Sequence, residues 1–359
     1  MNANAKSRRA ATVNRIALLA AAIAALALLL APAAAQAKPG IFWGAQIGRQ
    51  LTGEQPPWDI KALAAFERHA GKRASLLAFY ASFADCTKHP CRFNGFPGAE
   101  MEKIRRRGTI PFLSWSSASV GKDSVKQPQF RLRKIIAGKY DRYIREFAEA
   151  SREWGHPYFL RFDWEMNGFW FPWNEGVNGN KRGEFVKAWR HVHRIFTAAG
   201  ANNATWVWCP NIALIKKLKN FGSLYPGDRF VDWTCLDGFN WGKRQNSAGW
   251  QSFEHVFRST YREVLRIAPG KPMILGETAS EERGGSKARW IEHAFSVIPR
   301  KFRKIRGVIW FDERSQGMNW PIESSRASQR AFRRAIAPQI YRPNVYADLA
   351  PGPIKPPHF

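Results

Sequence analysis

The feature that most limits the fold is an alternation that runs the length of the chain. Eight short apolar runs, residues 41–47, 75–83, 109–115, 158–165, 205–209, 233–240, 272–277 and 307–312, read as strands. Between them lie amphipathic segments with helical spacing at 59–70, 97–107, 130–154, 184–199, 253–267 and 286–303, and Gly138 interrupts the longest. Strands that alternate with helix-sized segments predict parallel pairing with crossover helices. Eight of them predict an α/β fold with a single (β/α)8 TIM barrel over 38–337. An open doubly wound sheet is the competing arrangement, but no glycine-rich phosphate loop follows the first run. Residues 338–359 carry six prolines and read as an extended tail packed along the barrel.

The first 37 residues stand apart from this pattern. Lys6, Arg8, Arg9 and Arg15 precede an uncharged Ala/Leu-rich run, and Ala35-Gln36-Ala37 supplies a small-residue cleavage site. That is the form of a secretory signal peptide over 1–37, which predicts a secreted protein with no stable membrane span after cleavage. The net charge is +28, of which four basic residues lie in the leader. Such a field attracts acidic partners, an anionic cell-wall polymer among them. Export and the lack of any RNA- or DNA-binding motif argue against nucleic acid. Cys86 and Cys91 flank four residues and predict a local disulfide. Cys209 and Cys235 fall on adjacent predicted strands, where a second disulfide and two buried thiols are equally compatible. Neither cysteine pair has a histidine at zinc-site spacing, so no metal and no cofactor is expected.

The stretch 161–173, RFDWEMNGFWFPW, closes the fourth predicted strand. Leu160, Phe162, Trp164 and Met166 form one alternating set; Arg161, Asp163 and Glu165 form the other. Successive strand residues face opposite sides, so this pattern predicts three charges on one face. Unpaired charge is costly to bury, so a file that ends at Glu165 among aromatic residues suggests a polar active-site mouth. In a barrel the chemistry sits at the C-terminal strand ends. Glu165, Asp237, Glu277, Asp312 and Glu313 all lie there, and Gly276 leaves room beside Glu277. Two carboxylates across a mouth lined with tryptophan suit glycoside hydrolysis: one protonates the leaving oxygen, the other attacks or activates water. Trp170, Trp173, Trp208, Trp241, Trp310 and Trp320 are candidate stacking faces for sugar rings. His191, His193, His255 and His293 fall in helices and read as surface or packing residues.

RFDWEMNGFWFPW resembles the HEMNG-x-W-F/Y-P-W signature of glycoside hydrolase family 26, the β-mannanase family. The similarity continues through Trp206-Val207-Trp208-Cys209-Pro210-Asn211, Tyr225-Pro226-Gly227-Asp228, Val231-Asp232-Trp233, Asp237-Gly238-Phe239-Asn240-Trp241 and 271–277. The resemblance implies a retaining, endo-β-mannanase-like hydrolase of β-1,4-mannosidic or related β-glycan linkages, with a polysaccharide as its partner. Glu165 matches the family's acid/base and Glu277 its nucleophile. Arg161 matches an arginine that supports the site electrostatically, and Trp310 the eighth-strand aromatic under the reacting sugar. Within the matched motifs, Arg161, Trp164, Asn167, Asp237, Phe239 and Asn240 join the tryptophans as substrate-binding candidates.

Two positions depart from the family's pattern. Its histidine before the acid/base is Trp164, and its sixth-strand tyrosine, which hydrogen-bonds the nucleophile, is Phe239. Losing an imidazole and a hydroxyl beside the reacting sugar undermines the mannose preference more than the chemistry. Mixed-linkage glucan, xylan or a bacterial exopolysaccharide are then alternative substrates. The same departures leave open a non-catalytic carbohydrate-binding barrel, and the net charge leaves open a hydrolase of an anionic exopolysaccharide.

Overall fold

The computed structural model describes residues 40–121, 125–213, 221–243 and 249–358; the leader over 1–37 lies outside them. Eight parallel strands form the barrel: β1 (Ile41–Ile47), β2 (Leu76–Asp85), β3 (Ile110–Val120), β4 (Tyr158–Phe162), β5 (Ala204–Trp208), β6 (Trp233–Asn240), β7 (Met273–Ser280) and β8 (Ile305–Asp312). The sheet closes on itself, since β1 pairs with β2 from Gly44↔Leu76 and with β8 from Phe42↔Gly307 to Ile47↔Asp312. This is the (β/α)8 TIM barrel that the alternation predicts.

The helices are α1 (Ile60–Ala70), α2 (Gly98–Arg106), α3 (Leu132–Ile136), α4 (Asp141–Trp154), α5 (Glu184–Ala198), α6 (Phe253–Ile267), α7 (Lys287–Lys301) and α8 (Arg326–Ile336). Several begin where a short polar side chain satisfies an amide the first turn leaves free. Asp59, Ser252, Ser286 and Ser325 each accept from a backbone N–H two or three residues on. The break at Gly138, which adopts φ 80°, separates α3 from α4. Among the described residues no helix is long and apolar enough to cross a membrane.

The barrel interior is filled in layers. Phe42, Phe112, Phe159 and Trp233 meet in the lower layer, with Phe159 5.7 Å from Phe112 and 5.3 Å from Trp233. The tail crosses beneath this layer. Tyr341 and Arg342 pair in parallel with Ile41 and Phe42, and the indole of Trp233 donates to the carbonyl of Ile354 at 2.8 Å. Cys86 bonds to Cys91, and Cys209 bonds to Cys235, which ties β5 to β6.

One expectation fails in an informative place. β4 stops at Phe162, not at Glu165, and the charged set does not share one face. Asp163 and Glu165 take left-handed backbone angles, φ 42° and 52°, which curl the chain as it leaves the sheet. Asp163 turns back toward β3 and accepts from both the amide and the hydroxyl of Ser117, at 2.7 and 2.6 Å. Trp164 and Glu165, which strict alternation would place on opposite sides, both line the cleft above the barrel.

Candidate active site

The upper layer of the barrel is charged and buried. Arg161 is fully buried on the inward side of β4, its guanidinium 5.5 Å from the ring centre of Phe112 below. Its Nη1 donates to both oxygens of Asp237, at 2.8 and 3.0 Å; its Nη2 donates to Oε1 of Glu277 at 2.6 Å; its Nε donates to Ser114 at 2.9 Å. Burial works against the Arg161 charge, but Asp237 and Glu277 more than offset it and hold the group above its ordinary value. Gly276 makes the packing possible: a Cβ there would lie 2.7 Å from Asp237 and 3.0 Å from Arg161.

Glu165 and Glu277 face one another over this base. One carboxylate oxygen from each, with one from Asp237, lie within 4.8 Å of one another. Glu165 is buried, with its Oε2 accepting from the indole of Trp170 and its Oε1 from the amide of Asn211, both at 2.6 Å. Burial pushes its pKa up to about 7, with the negative charge of Glu277 adding to the effect; the two hydrogen bonds and Arg161 oppose it. Burial is therefore the larger cause, and the neighbouring carboxylate the second. Glu277 takes a second donor at Oε1, the hydroxyl of Tyr80 at 2.7 Å.

The pair opens into a cleft of about 1820 Å³, larger than a single-sugar pocket requires. Trp164, Trp170, Trp173, Phe239, Trp241 and Trp320 line it, Trp173 and Trp320 almost wholly buried in its wall. Trp164 sits over the Arg161 guanidinium at 5.0 Å and against Trp173 at 5.1 Å. Six expected substrate contacts lie elsewhere. Trp208 is fully buried outside the sheet, its indole donating to Leu224. Trp310 also points away from the cleft, packed 6.1 Å from Trp290 and 5.5 Å from Phe332, while its neighbour Phe311 lines the cleft. The side-chain amide of Asn167 is spent on the backbone of Asn211, at 2.8 and 2.9 Å, and so positions the residue that holds Glu165. Asn240 binds Ser280 and the amides of Gly242 and Gln251, which fixes the loop after β6. Arg161 and Asp237 lie beneath the pair rather than on the cleft wall.

Sequence reading missed Tyr80, Asn211 as a partner of Glu165, and the exposed rings of Trp58 and Phe169 along the cleft. Tyr80 stands midway along β2, in register with Ser114 and Arg161 on the next two strands, so no strand-end position marked it. His255, read as a surface or packing residue, lines the cleft rim.

Residues 122–281 match the family described as Glycosyl hydrolase family 26. Endoglucanase H of Acetivibrio thermocellus is 34% identical over 238 residues, which covers 66% of this chain and 25% of that protein. A β-1,3-xylanase, TXYA, of Vibrio sp is 28% identical over 127 residues, 32% of this chain and 25% of its own length. The chain thus spans about a quarter of the length of these curated relatives. In fold it is similar to the catalytic domain of the GH26 endo-β-1,4-mannanase of Bacillus sp. JAMB-750, with a TM-score of 0.65 at 16% identity over 86% of this chain and 88% of that one. Taken with the fourth-strand motif and the barrel that carries it, these matches show that the chain belongs to glycosyl hydrolase family 26.

Proposed function

We propose that this protein is an exported, retaining β-glycan hydrolase that cuts within a neutral polysaccharide, with Glu165 as acid/base and Glu277 as nucleophile. The observation that carries this reading is the approach of a Glu165 oxygen to within 4.8 Å of a Glu277 oxygen across an open aromatic cleft. Retaining enzymes hold their carboxyl groups about 5–5.5 Å apart, close enough for direct attack; inverting enzymes leave room for a water. In the first step Glu277 attacks the anomeric carbon while protonated Glu165 gives its proton to the departing glycosidic oxygen. A pKa near 7 supports that protonated state at neutral pH. Once the glycosyl ester forms, the charge of Glu277 is gone and Glu165, now ionised, takes a proton from the attacking water.

The cleft supports a neutral substrate. Among the described residues, and apart from the catalytic pair, its ionised lining side chains are Arg92 and Glu100, one of each sign. Its volume, about 1820 Å³, suits a chain of several sugars and so attack within a polymer. The names of the relatives, an endoglucanase, a β-1,3-xylanase and a β-1,4-mannanase, place β-glucan, xylan and mannan in the first panel. Trp164 and Phe239, standing where the resemblance expects histidine and tyrosine, favour testing mixed-linkage β-glucan alongside β-mannan. The leader and the two disulfides support export. Product analysis on this panel, with the anomeric configuration followed by NMR, is the test. New reducing ends that first appear with the β configuration support the proposal; an inverted product, or no cleavage of any β-glycan, sinks it.

A further inference from the structure

Glu277 is held asymmetrically. Its Oε1 accepts two hydrogen bonds, from Arg161 Nη2 at 2.6 Å and from the Tyr80 hydroxyl at 2.7 Å. Among the described residues no hydrogen bond reaches Oε2. Tyr80 comes from β2, three strands round the barrel from β7, which carries Glu277. Its ring packs on Trp164 at 5.3 Å with 35° between the planes, and the Arg161 guanidinium lies 5.9 Å from its centre. On β6, beside β7, position 239 is a phenylalanine among Trp241, Phe311 and Trp320, so no hydroxyl is offered from that side.

We infer that Tyr80 is the positioning residue for the attacking carboxylate, its hydroxyl and Arg161 together pinning Oε1 so that Oε2 alone is presented to the anomeric carbon. This rests on the glycosidase reading above. Two consequences follow for the reaction. Before attack, the second donor fixes the rotamer of Glu277, because rotation about the last bond would break both hydrogen bonds at once. During hydrolysis of the glycosyl ester, the bond between Oε2 and the anomeric carbon breaks and its electron pair returns to Glu277. The Tyr80 hydrogen bond strengthens as that charge returns, which assists departure of the carboxylate. Burial, followed by the negative charge of Glu277, holds the phenol well above its usual pKa, so it remains a donor over the working range. Trp164 has a place in the same device. Its ring packs against both Tyr80 and Arg161, which limits the access of water to the two donors.

Tyr80→Phe tests this, since the ring stays against Trp164 and only the hydroxyl is lost. Wild type and variant are compared on dinitrophenyl β-cellobioside and β-mannobioside, whose good leaving group makes ester hydrolysis limiting. The expected result is a fall in kcat of about ten- to a hundredfold, the range for losing a hydrogen bond to a charged group. KM should fall with it, because the glycosyl-enzyme accumulates, and mass spectrometry of the quenched variant should find the sugar on the peptide that carries Glu277. An equal fall in activity from loosened packing would lower the melting temperature and raise KM, with no adduct. An active wild type whose Tyr80→Phe variant keeps kcat and KM, or loses kcat without the adduct, overturns the inference alone. A wild type inactive on every glycoside and β-glycan removes the glycosidase reading, and the role of Tyr80 with it.

Discussion

Asp163 and Glu165 stand two residues apart beyond the end of β4, and they make a useful pair to compare. Both have left-handed backbone angles, both are buried, and burial pushes both pKa values up to about 7. Asp163 belongs to the seam between strands: each of its oxygens is taken by Ser117 on β3, and those hydrogen bonds are what oppose the upward shift. Glu165 belongs to the cleft, held by Trp170 and Asn211, with the carboxylate of Glu277 in front of it. The same perturbation therefore serves two ends. A raised carboxyl pKa marks a candidate acid, but open space and an opposing carboxylate are what separate a proton donor from a structural tie. Left-handed angles at non-glycine residues cost of order 1–3 kcal/mol each. Here the seam and the loop overdetermine them: the amide of Glu165 donates to Cys209, and the carbonyls of Trp164 and Glu165 accept from Trp173 and Asn174.

The largest expected effect breaks the pair apart by activity. Glu165→Gln should lower kcat/KM on the preferred β-glycan by about 10²–10⁴, the worth of a positioned general acid. Glu277→Ala should lower it at least as far. Asp163→Asn should leave it within about threefold, since the amide can still accept from the Ser117 N–H. Steady-state kinetics on the three variants decide the matter. Equal losses at 163 and 165 would mean that the seam, too, belongs to the reaction.

Stability should reverse that order. Asp163→Ala strands a buried amide and a buried hydroxyl on Ser117, and an unsatisfied buried donor costs about 1–3 kcal/mol. Glu165→Ala frees an indole and an amide at a cleft that water can enter, so it should cost less than about 1 kcal/mol. Urea unfolding of both variants measures the difference, and a larger loss at 165 would contradict the division drawn here.

The pH dependence sharpens the comparison further. Loss of the Glu165 proton should make kcat/KM fall above about pH 7, tenfold per unit once the limb is established. Both raised values act on stability, and Asp163 acts there alone. Its folded value is raised from 3.8 to about 7, so the folded state holds a proton that the unfolded state has released. The associated stabilisation is fully present below about pH 4 and is lost as pH rises toward 7. Denaturant midpoints for the wild type should fall across that window, and Asp163→Asn should remove the Asp163 share of the fall, leaving that of Glu165 and the kinetic limb where they were.

These features were legible to different degrees in the sequence. The eight strands could be read because apolar runs and helical spacing are local, and β1 and β6 match to the residue. Glu165 and Glu277 could be read because strand ends in a barrel converge wherever the barrel closes. The seam could not, because alternation presumes that a strand continues, and nothing in Arg161-Phe162-Asp163-Trp164-Glu165 announces two left-handed residues. Trp208 and Trp310 were misassigned for a related reason. A barrel strand carries aromatic residues on both faces, and only the register of its neighbours says which face meets the helices. Tyr80 escaped because its partner is 197 residues away and the family resemblance drew attention to position 239.

The smallest expected effect concerns salt, and it tests whether burial sets both carboxyl groups. The chain carries a net charge of +28, a field that by itself would lower any carboxyl pKa. Much of that charge stands far from the cleft. Helices run back against the strands, so Arg105 and Arg106 of α2, Arg300 and Lys301 of α7 and Arg333 and Arg334 of α8 ring the end opposite the mouth, where cations also suit the helix termini. Exposed charges beyond a Debye length, about 10 Å at 0.1 M salt, are largely screened, whereas contacts inside the buried layer are not. Raising NaCl from about 50 to about 500 mM should therefore move the alkaline limb of kcat/KM by less than about 0.3 pH unit, and upward, and change the rate on a neutral glycan by less than about twofold. A larger upward shift would transfer control of Glu165 from burial to the basic exterior. A tenfold loss of rate at fixed pH would instead make the substrate anionic, and the near-neutral wall formed by Arg92 and Glu100 would then be the wrong guide to what the cleft accepts.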